Sequence, residues 1–172
     1  MIGCKCKVCQ SSDIRDKRMR ASVFLEVDDK NILIDCGPDF RAQMLFHDID
    51  QIDAILLTHK HIDHIGGIDD LRPLGNKKIY LDKQTEDAVK QMYGYCFAEN
   101  PYPGVPSLSL ERISYEPFKI CDGTIEVIPI RVMHGKMEIM GYRIGNFAYI
   151  TDVSSLSDDA EYEKLKGLEV VV

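Results

Sequence analysis

Short apolar runs separated by polar turns predict that the first half of the chain mixes strands and helices. Residues 21–27 and 31–35 are two such runs, and the polar Asp28-Asp29-Lys30 between them predicts a β-hairpin. Residues 53–58 form an apolar run that is too short for a typical helix, so we expect a buried strand there. Residues 39–48 carry apolar side chains at helical spacing, which predicts a short helix capped by Asp39.

The second half of the chain continues this alternation. Helical patterns occupy residues 65–74, 84–97 and 158–166. Strand patterns occupy residues 79–81, 116–120, 124–132, 140–144, 147–151 and 168–172. Strands dominate and helices lie between them, which predicts an α/β fold of sheets packed face to face with helices outside. A chain of 172 residues has the length of one domain, so we expect a single domain over residues 1–172.

Composition and charge narrow the classes of function. Hydrophobic residues make up 45% of the chain, and no apolar run approaches the roughly 18 residues that a membrane span needs. The first ten residues contain no apolar stretch typical of a signal peptide, so we expect a cytoplasmic protein without a membrane partner. The net charge of −7 disfavours nucleic acid as the main partner and favours a small substrate, and it leaves a homodimer open.

One local departure from this acidic balance is a run of four cations within six residues, Arg15, Lys17, Arg18 and Arg20. Such a run either contacts a phosphate or forms a solvated surface. Because charge runs on solvated segments are common, the sequence by itself favours the surface interpretation.

The strongest chemical signal is the cluster of His59, His61, Asp63 and His64 directly after the predicted strand 53–58. In extended backbone, residues two positions apart point to the same face, so His59 and His61 are placed to share one cation. Asp63 and His64 follow along the turn and are placed to serve a second cation. Imidazole and carboxylate ligands suit zinc, and they also suit manganese or iron. A histidine-rich surface loop is the alternative, and the position at a strand end argues against it.

The pattern His-x-His-x-Asp-His after a hydrophobic strand resembles the signature of the metallo-β-lactamase superfamily. The resemblance implies an αββα sandwich with a metal site at one edge. It implies that one metal is bound by His59, His61 and His134 and that the second is bound by Asp63 and His64. Asp152 would bridge the two metals, so Asp63 and Asp152 are the expected catalytic residues.

Two of these assignments depend on position as well as on residue type. His134 follows a predicted strand that ends at Val132, and it precedes Asp152 in the family order. Asp35 lies in a segment that resembles the one whose aspartate orients the metal ligands by hydrogen bonds. An aspartate before Cys36-Gly37 that only shapes a turn is the alternative for Asp35.

The N-terminal cysteines form a second constellation. Cys4, Cys6 and Cys9 have a spacing that can surround one structural zinc ion, although a closed site needs four ligands and no fourth is visible. This start resembles the branch of the superfamily typified by the phosphodiesterase PhnP, which carries an extra structural zinc. The resemblance implies a cysteine-rich zinc knuckle over about residues 1–20. Three buried or free cysteines are the alternative.

Family members extend beyond the bridging aspartate to a further strand and a final metal-binding histidine, whereas this sequence stops at Val172. We therefore expect the C-terminal part of the fold, with the last ligand of the second metal, to be missing from this chain.

The resemblance implies a metal-dependent hydrolase. Two divalent cations, zinc or manganese, would activate a bridging hydroxide and clamp the oxygens of a phosphoryl group. We expect a phosphodiesterase that acts on small phosphodiesters, including cyclic ones. A tRNase Z-like ribonuclease, a thioester or lactone hydrolase, and a non-catalytic metal-binding module remain as alternatives.

Overall fold

The first of two β-sheets is built from the N-terminal half of the chain. The structure is a computed structural model that describes residues 2–172. The strands of this sheet, in spatial as well as chain order, are β1 (Val23–Val27), β2 (Lys30–Ile34), β3 (Ala54–Leu56), β4 (Lys77–Leu81) and β5 (Leu108–Arg112). The β1–β2 pair is the predicted antiparallel hairpin, and β2 to β5 pair in parallel.

The second sheet is mainly antiparallel. Its strands are β6 (Phe118–Ile120), β7 (Ile125–His134), β8 (Met137–Ile144), β9 (Phe147–Tyr149), β10 (Ser155–Leu156) and β11 (Val170–Val171). They are arranged in the order β10-β7-β8-β9-β11, and β6 pairs with β7 beside this path. The last strand, β11, is parallel to β9.

Short helices connect the strands. The α-helices are α1 (Phe40–His47), α2 (Ile62–Ile65), α3 (Lys83–Met92) and α4 (Asp159–Glu163). Single 3-10 helices occupy Ile14–Asp16, Ile68–Leu74 and Gly94–Phe97. Within residues 2–172, none of the helices has the length and apolar character needed to cross a bilayer.

The core between the two sheets follows from the alternation of side chains along the strands. Ile32 and Ile34 of β2 face inward and pack in one cluster with Val127 of β7 and Tyr142 of β8. Leu33, between them in sequence, points to the opposite face. The three consecutive apolar residues that end β2 therefore contribute to two cores.

Each outer face is covered by helices. On the first sheet, Leu33 packs in a cluster with Phe40 of α1, Leu71 and Val89 of α3. On the outer face of the second sheet, Ile130 belongs to a smaller cluster. Leu165 and Leu168, from the segment that follows α4, pack against this cluster. The layers are thus helix, sheet, sheet, helix, and the predicted αββα sandwich is confirmed.

Four local features differ from the expectations. The predicted helix 65–74 is instead α2 followed by a 3-10 helix, and α2 already begins at Ile62, so Asp63 and His64 lie on a helical turn. Strand β5 was not predicted. Asp39 is the N-cap residue of α1 as predicted, but its carboxylate makes no capping hydrogen bond and instead accepts one from the Arg20 amide. The strand expected to end at Val132 continues to His134 in the hairpin with β8.

Two hydrogen bonds from β8 fix the chain just after β3, where the histidine cluster begins. The Tyr142 hydroxyl donates to the Leu57 carbonyl at 2.6 Å, and the Met140 amide donates to the Thr58 carbonyl at 3.0 Å. Tyr142 is fully buried, so no water replaces its hydroxyl at the Leu57 carbonyl. The two sheets are therefore joined directly beside the cluster.

We predict that Tyr142→Phe lowers the free energy of unfolding by about 1–2 kcal/mol, because a buried carbonyl loses its donor. Urea unfolding followed by circular dichroism measures this change. Tyr80→Phe is the matched control, since no hydrogen bond of the Tyr80 hydroxyl is found among residues 2–172. Equal stability of the two variants would contradict the role assigned to Tyr142.

Candidate metal centre

Strand ends from both sheets bring the predicted site residues to one edge of the sandwich. His59 and His61 follow β3, and Asp63 and His64 lie on α2. His134 is the last residue of β7 in the second sheet. Asp152 comes three residues after β9, in the same sheet. Residues that are more than 90 positions apart in sequence thus meet at this edge.

Four of these residues form a compact ligand set. Ligand atoms of His59, His61, His134 and Asp152 all lie within 4.8 Å of one another. The His59 Nε2 and His61 Nδ1 atoms are 3.1 Å apart. Two nitrogens that bind one zinc ion tetrahedrally, each at about 2.0–2.1 Å, are roughly 3.3 Å apart. The spacing therefore fits a shared cation.

A single oxygen of Asp152 lies between this set and the neighbouring histidine. Its Oδ2 is 3.5 Å from His59 Nε2 and 3.1 Å from His64 Nε2. On the far side, Asp63 Oδ2 is 3.7 Å from His64 Nε2. Asp63, His64 and Asp152 therefore offer the start of a second ligand set, with fewer protein ligands than the first.

Hydrogen bonds to Asp35 and Thr58 orient two of the histidine rings. Asp35 Oδ2 lies 2.7 Å from His64 Nδ1, and the Thr58 hydroxyl lies 2.9 Å from His59 Nδ1. The same hydroxyl donates to the Asp35 carboxylate, which also accepts the Thr58 amide at 2.8 Å. With Nδ1 of both rings engaged as a donor, each Nε2 is left with a free lone pair toward the cluster.

Burial affects the protonation of these histidines. Burial, followed by the neighbouring His64 and His61 rings, lowers the pKa of His59 to about 4. Burial also lowers the pKa of His64, but the Asp35 carboxylate outweighs it and raises that pKa above its ordinary value. A neutral His59 has the lone pair that a metal ligand needs.

The ligands differ in their access to solvent. His59 and His64 are buried, whereas the side chains of Asp63 and Asp152 are 51% and 36% exposed. The carboxylates, together with the exposed His61, therefore form the open side of the cluster.

Two aspartates of the site have unusual backbone conformations. Asp35 and Asp152 have φ angles of 64° and 50°, in the left-handed region that non-glycine residues seldom adopt. Such conformations persist only where the surrounding structure holds them, and they are concentrated at functional sites. Here they turn each carboxylate toward the cluster at the point where its strand has ended.

Two glycines allow the loop after β2 to contact the α2 turn closely. A β-carbon at Gly37 would lie 2.1 Å from the Asp63 carbonyl oxygen, and one at Gly67 would lie 2.1 Å from the Gly37 carbonyl oxygen. The Cys36 amide donates to the His64 carbonyl at 2.8 Å in the same contact. A side chain at either position would therefore clash with the contact between this loop and the α2 turn that carries Asp63 and His64.

The N-terminal cysteines form a separate group. The Cys4, Cys6 and Cys9 sulfurs lie within 4.8 Å of one another, and no fourth histidine, cysteine or acidic residue joins them among residues 2–172. Hydrogen bonds from the Cys9 amide and then from the Cys4 thiol lower the pKa of Cys6 to about 7. A partly ionised thiol suits a zinc ligand.

With this geometry in place, comparison with known proteins decides the family. Residues 30–172 match the model of the beta-lactamase superfamily domain. The chain belongs to the metallo-β-lactamase superfamily.

Within the superfamily, the resemblance to the PhnP branch is confirmed. A crystal structure described as a new diphosphatase from the PhnP family superposes with a TM-score of 0.87 at 41% identity, over 99% of this chain and 66% of that one. The chain is also 44% identical to an octanoyltransferase of Porphyromonas gingivalis, over 99% of this chain and 35% of the relative. Ribonuclease Z of Methanococcus maripaludis is 30% identical, over 89% of this chain and 50% of the relative. This chain thus spans between about a third and two thirds of the length of these proteins.

Thr58 is a member of this metallo-β-lactamase site to which the sequence assigned no role. In the sequence, Thr58 was marked only by its position between the buried strand and His59. A threonine at the end of a strand is too common to indicate a functional role. Its hydroxyl matters because it touches both Asp35 and His59, and neither contact follows from spacing alone.

We predict that Thr58→Val lowers metal affinity by about 10–100-fold, because Asp35 and His59 Nδ1 both lose a hydrogen-bond partner. Thr58→Ser keeps the hydroxyl and serves as the matched control, which should bind metal like the wild type. Competition with a chromogenic chelator measures the affinity. Equal affinity of the valine and serine variants would show that the hydroxyl does not orient the ligands.

We further predict that zinc protects the thiols of Cys4, Cys6 and Cys9 from modification. Titration of the native, zinc-loaded protein with a thiol reagent should leave these three unreactive, and chelation should release them. Cys121, which lies outside the knuckle, is the internal control because its reactivity should not change on chelation. Three freely reactive knuckle thiols in the zinc-loaded protein would contradict the site.

Proposed function

We propose that this metallo-β-lactamase-fold chain carries most of the catalytic site of a two-metal phosphodiesterase that acts on small phosphodiesters. One observation carries the proposal. The Oδ2 atom of Asp152 lies within 3.5 Å of ring nitrogens from both histidine sets, as a bridging carboxylate requires. The likeness to a diphosphatase of the PhnP family supports phosphorus as the reacting centre.

The residues divide into roles. His59, His61 and His134 would hold the first metal, and Asp63 and His64 would contribute to the second, with Asp152 shared. When bound, such a pair of divalent cations, zinc or manganese, supplies a hydroxide nucleophile at neutral pH and offsets negative charge on the phosphoryl oxygens. Asp35 and Thr58 would hold the His64 and His59 rings in the orientation that metal binding requires. The exposed side of Asp63 and Asp152 gives the substrate its access.

The expected substrate is small because the chain is acidic overall. Its 28 acidic residues outnumber its 21 lysines and arginines, and a polynucleotide partner normally requires an excess of cations. The net charge therefore favours a small substrate over RNA. The likeness to ribonuclease Z supports the ribonuclease alternative.

An acyl-group reaction is the second candidate function. It is favoured by the 44% identity to a protein called octanoyltransferase, although this chain spans only 35% of that protein. A nucleophile held by the same ligands would also attack a thioester carbonyl, so the ligand set alone does not separate the two chemistries.

A substrate panel tests the proposal directly. The purified protein, loaded with zinc or manganese, is assayed with bis(4-nitrophenyl) phosphate, a 2′,3′-cyclic nucleotide, a single-stranded RNA and an octanoyl thioester. We expect metal-dependent hydrolysis of the first two. Turnover of the thioester alone would favour the acyl reaction, turnover of RNA alone would favour the nuclease, and metal binding without turnover would favour a non-catalytic module.

We predict that Asp152→Ala lowers phosphodiesterase turnover by about a hundredfold or more and reduces the metal content from two ions toward one. The first metal keeps three histidines and should remain. Elemental analysis and turnover at matched circular dichroism measure both effects.

Asp122→Ala is the matched control for this substitution. Asp122 is also an exposed aspartate with a positive φ, of 57°, but it lies at the turn between β6 and β7. The control therefore places an alanine at a similarly strained backbone position without touching the cluster. Near-normal turnover of Asp152→Ala with two metals bound would overturn the two-metal mechanism.

A further inference from the structure

A cavity lies at the end of the sandwich opposite the metal centre. It has a volume of about 240 Å³ and is formed by the starts of β2, β3 and β4 and by the turn between β6 and β7. Candidate metal ligands lie at the other ends of β3 and β7. Because β7 has ten residues, the two ends are separated by roughly 30 Å. The cavity is therefore distinct from the metal centre.

The Tyr80 side chain lines this cavity, and its hydroxyl has no partner. Tyr80 is only 8% exposed, and its ring stacks on Phe118 with 5.5 Å between the ring centroids. The hydroxyl makes no hydrogen bond with any of residues 2–172. Burial raises the pKa of Tyr80, so the hydroxyl keeps its proton and can donate it to an acceptor. Because buried polar groups are normally hydrogen-bonded, the partner of this hydroxyl has to come from the cavity.

Lys78 supplies a free cation on the same face of β4. It lies two residues before Tyr80, and side chains two positions apart in a strand point to the same side. Lys78 lines the cavity and is exposed, and within the described part of the chain its side chain forms neither an ion pair nor a hydrogen bond. An ammonium group beside a phenolic hydroxyl offers two kinds of donor to one carboxylate.

Asp53 supplies an acceptor on another wall of the cavity. Its Oδ2 accepts the Asn31 amide at 2.8 Å, whereas its Oδ1 faces the Lys30 ammonium at 3.9 Å, beyond hydrogen-bond distance. Oδ1 is therefore able to accept a hydrogen bond from a molecule in the cavity. The two lysines and two aspartates of the lining balance, so the cavity has no net formal charge. A ligand with one charge of each sign suits this lining better than a simple anion or cation.

We propose that the cavity binds a small zwitterionic amino acid. The carboxylate of the ligand accepts hydrogen bonds from the Tyr80 hydroxyl and the Lys78 ammonium, and its own ammonium group donates to Asp53. A volume of about 240 Å³ equals that of roughly eight water molecules at about 30 Å³ each. It therefore admits a molecule the size of alanine or serine, whereas a nucleotide is too large. This site goes beyond the phosphodiesterase function and does not depend on it.

The test measures the Kd of the metal-loaded protein for glycine, L-alanine and L-serine by saturation-transfer NMR titration. Propionate and ethylamine serve as half-ligands, since each carries only one of the two charges. We expect at least one amino acid to bind about tenfold or more tightly than either half-ligand. Tyr80→Phe keeps the ring and removes the unpartnered hydroxyl, and it should raise the Kd for that amino acid by about tenfold. Lys78→Gln should raise it by roughly two- to fivefold, because this lysine is exposed.

Lys17→Gln is the matched control. Lys17 is also an exposed lysine whose side chain has no ion pair within residues 2–172, and it does not line the cavity. This variant should keep the wild-type Kd, and circular dichroism checks that all three variants are folded. The proposal is overturned if none of the three amino acids binds, or if a half-ligand binds as tightly as they do. A wild-type Kd in the folded Tyr80→Phe and Lys78→Gln variants would place any binding elsewhere on the protein and would also overturn it.

Discussion

The geometry of the candidate metal centre depends on one buried carboxylate, that of Asp35. Burial raises its pKa, and the hydrogen bonds from His64 and Thr58 act in the opposite direction. An unpaired carboxylate in this position would be strongly destabilising, so the three donors cannot move away independently. Through them Asp35 connects the end of β2, the end of β3 and the α2 turn. The ligands are held in place because the fold must satisfy this charge.

The second sheet supplies the remaining ligands of the cluster, His134 and Asp152. His134 and Asp152 come from strands that contact the first sheet only across the sandwich, so the cluster closes only when the two sheets pack. The bonds from Tyr142 and Met140 to the chain after β3 hold this packing beside the ligands. Stability and metal binding are therefore linked: a change that separates the sheets also removes ligands from the cluster.

Relatives with different names resemble this chain, so the fold alone does not decide the reaction. A diphosphatase, a ribonuclease Z and an octanoyltransferase all resemble the chain over most of its length. The metal ligands explain how a nucleophile is produced, but they do not select phosphorus over carbon or a small molecule over a polymer. Selection has to come from groups around the open side of the cluster.

The sequence alone determined the hairpin, the packing of sheets face to face with helices outside, and the histidine cluster after β3, because alternation and spacing act over a few residues. It also nominated His134, Asp152 and Asp35, but only through family resemblance. The tertiary structure decided which atoms meet: that a single Asp152 oxygen lies between two imidazoles, that Thr58 joins Asp35 to His59, and that Gly37 packs against the Asp63 carbonyl. These contacts join residues far apart in sequence, and their distances depend on how two sheets pack, which no local pattern encodes.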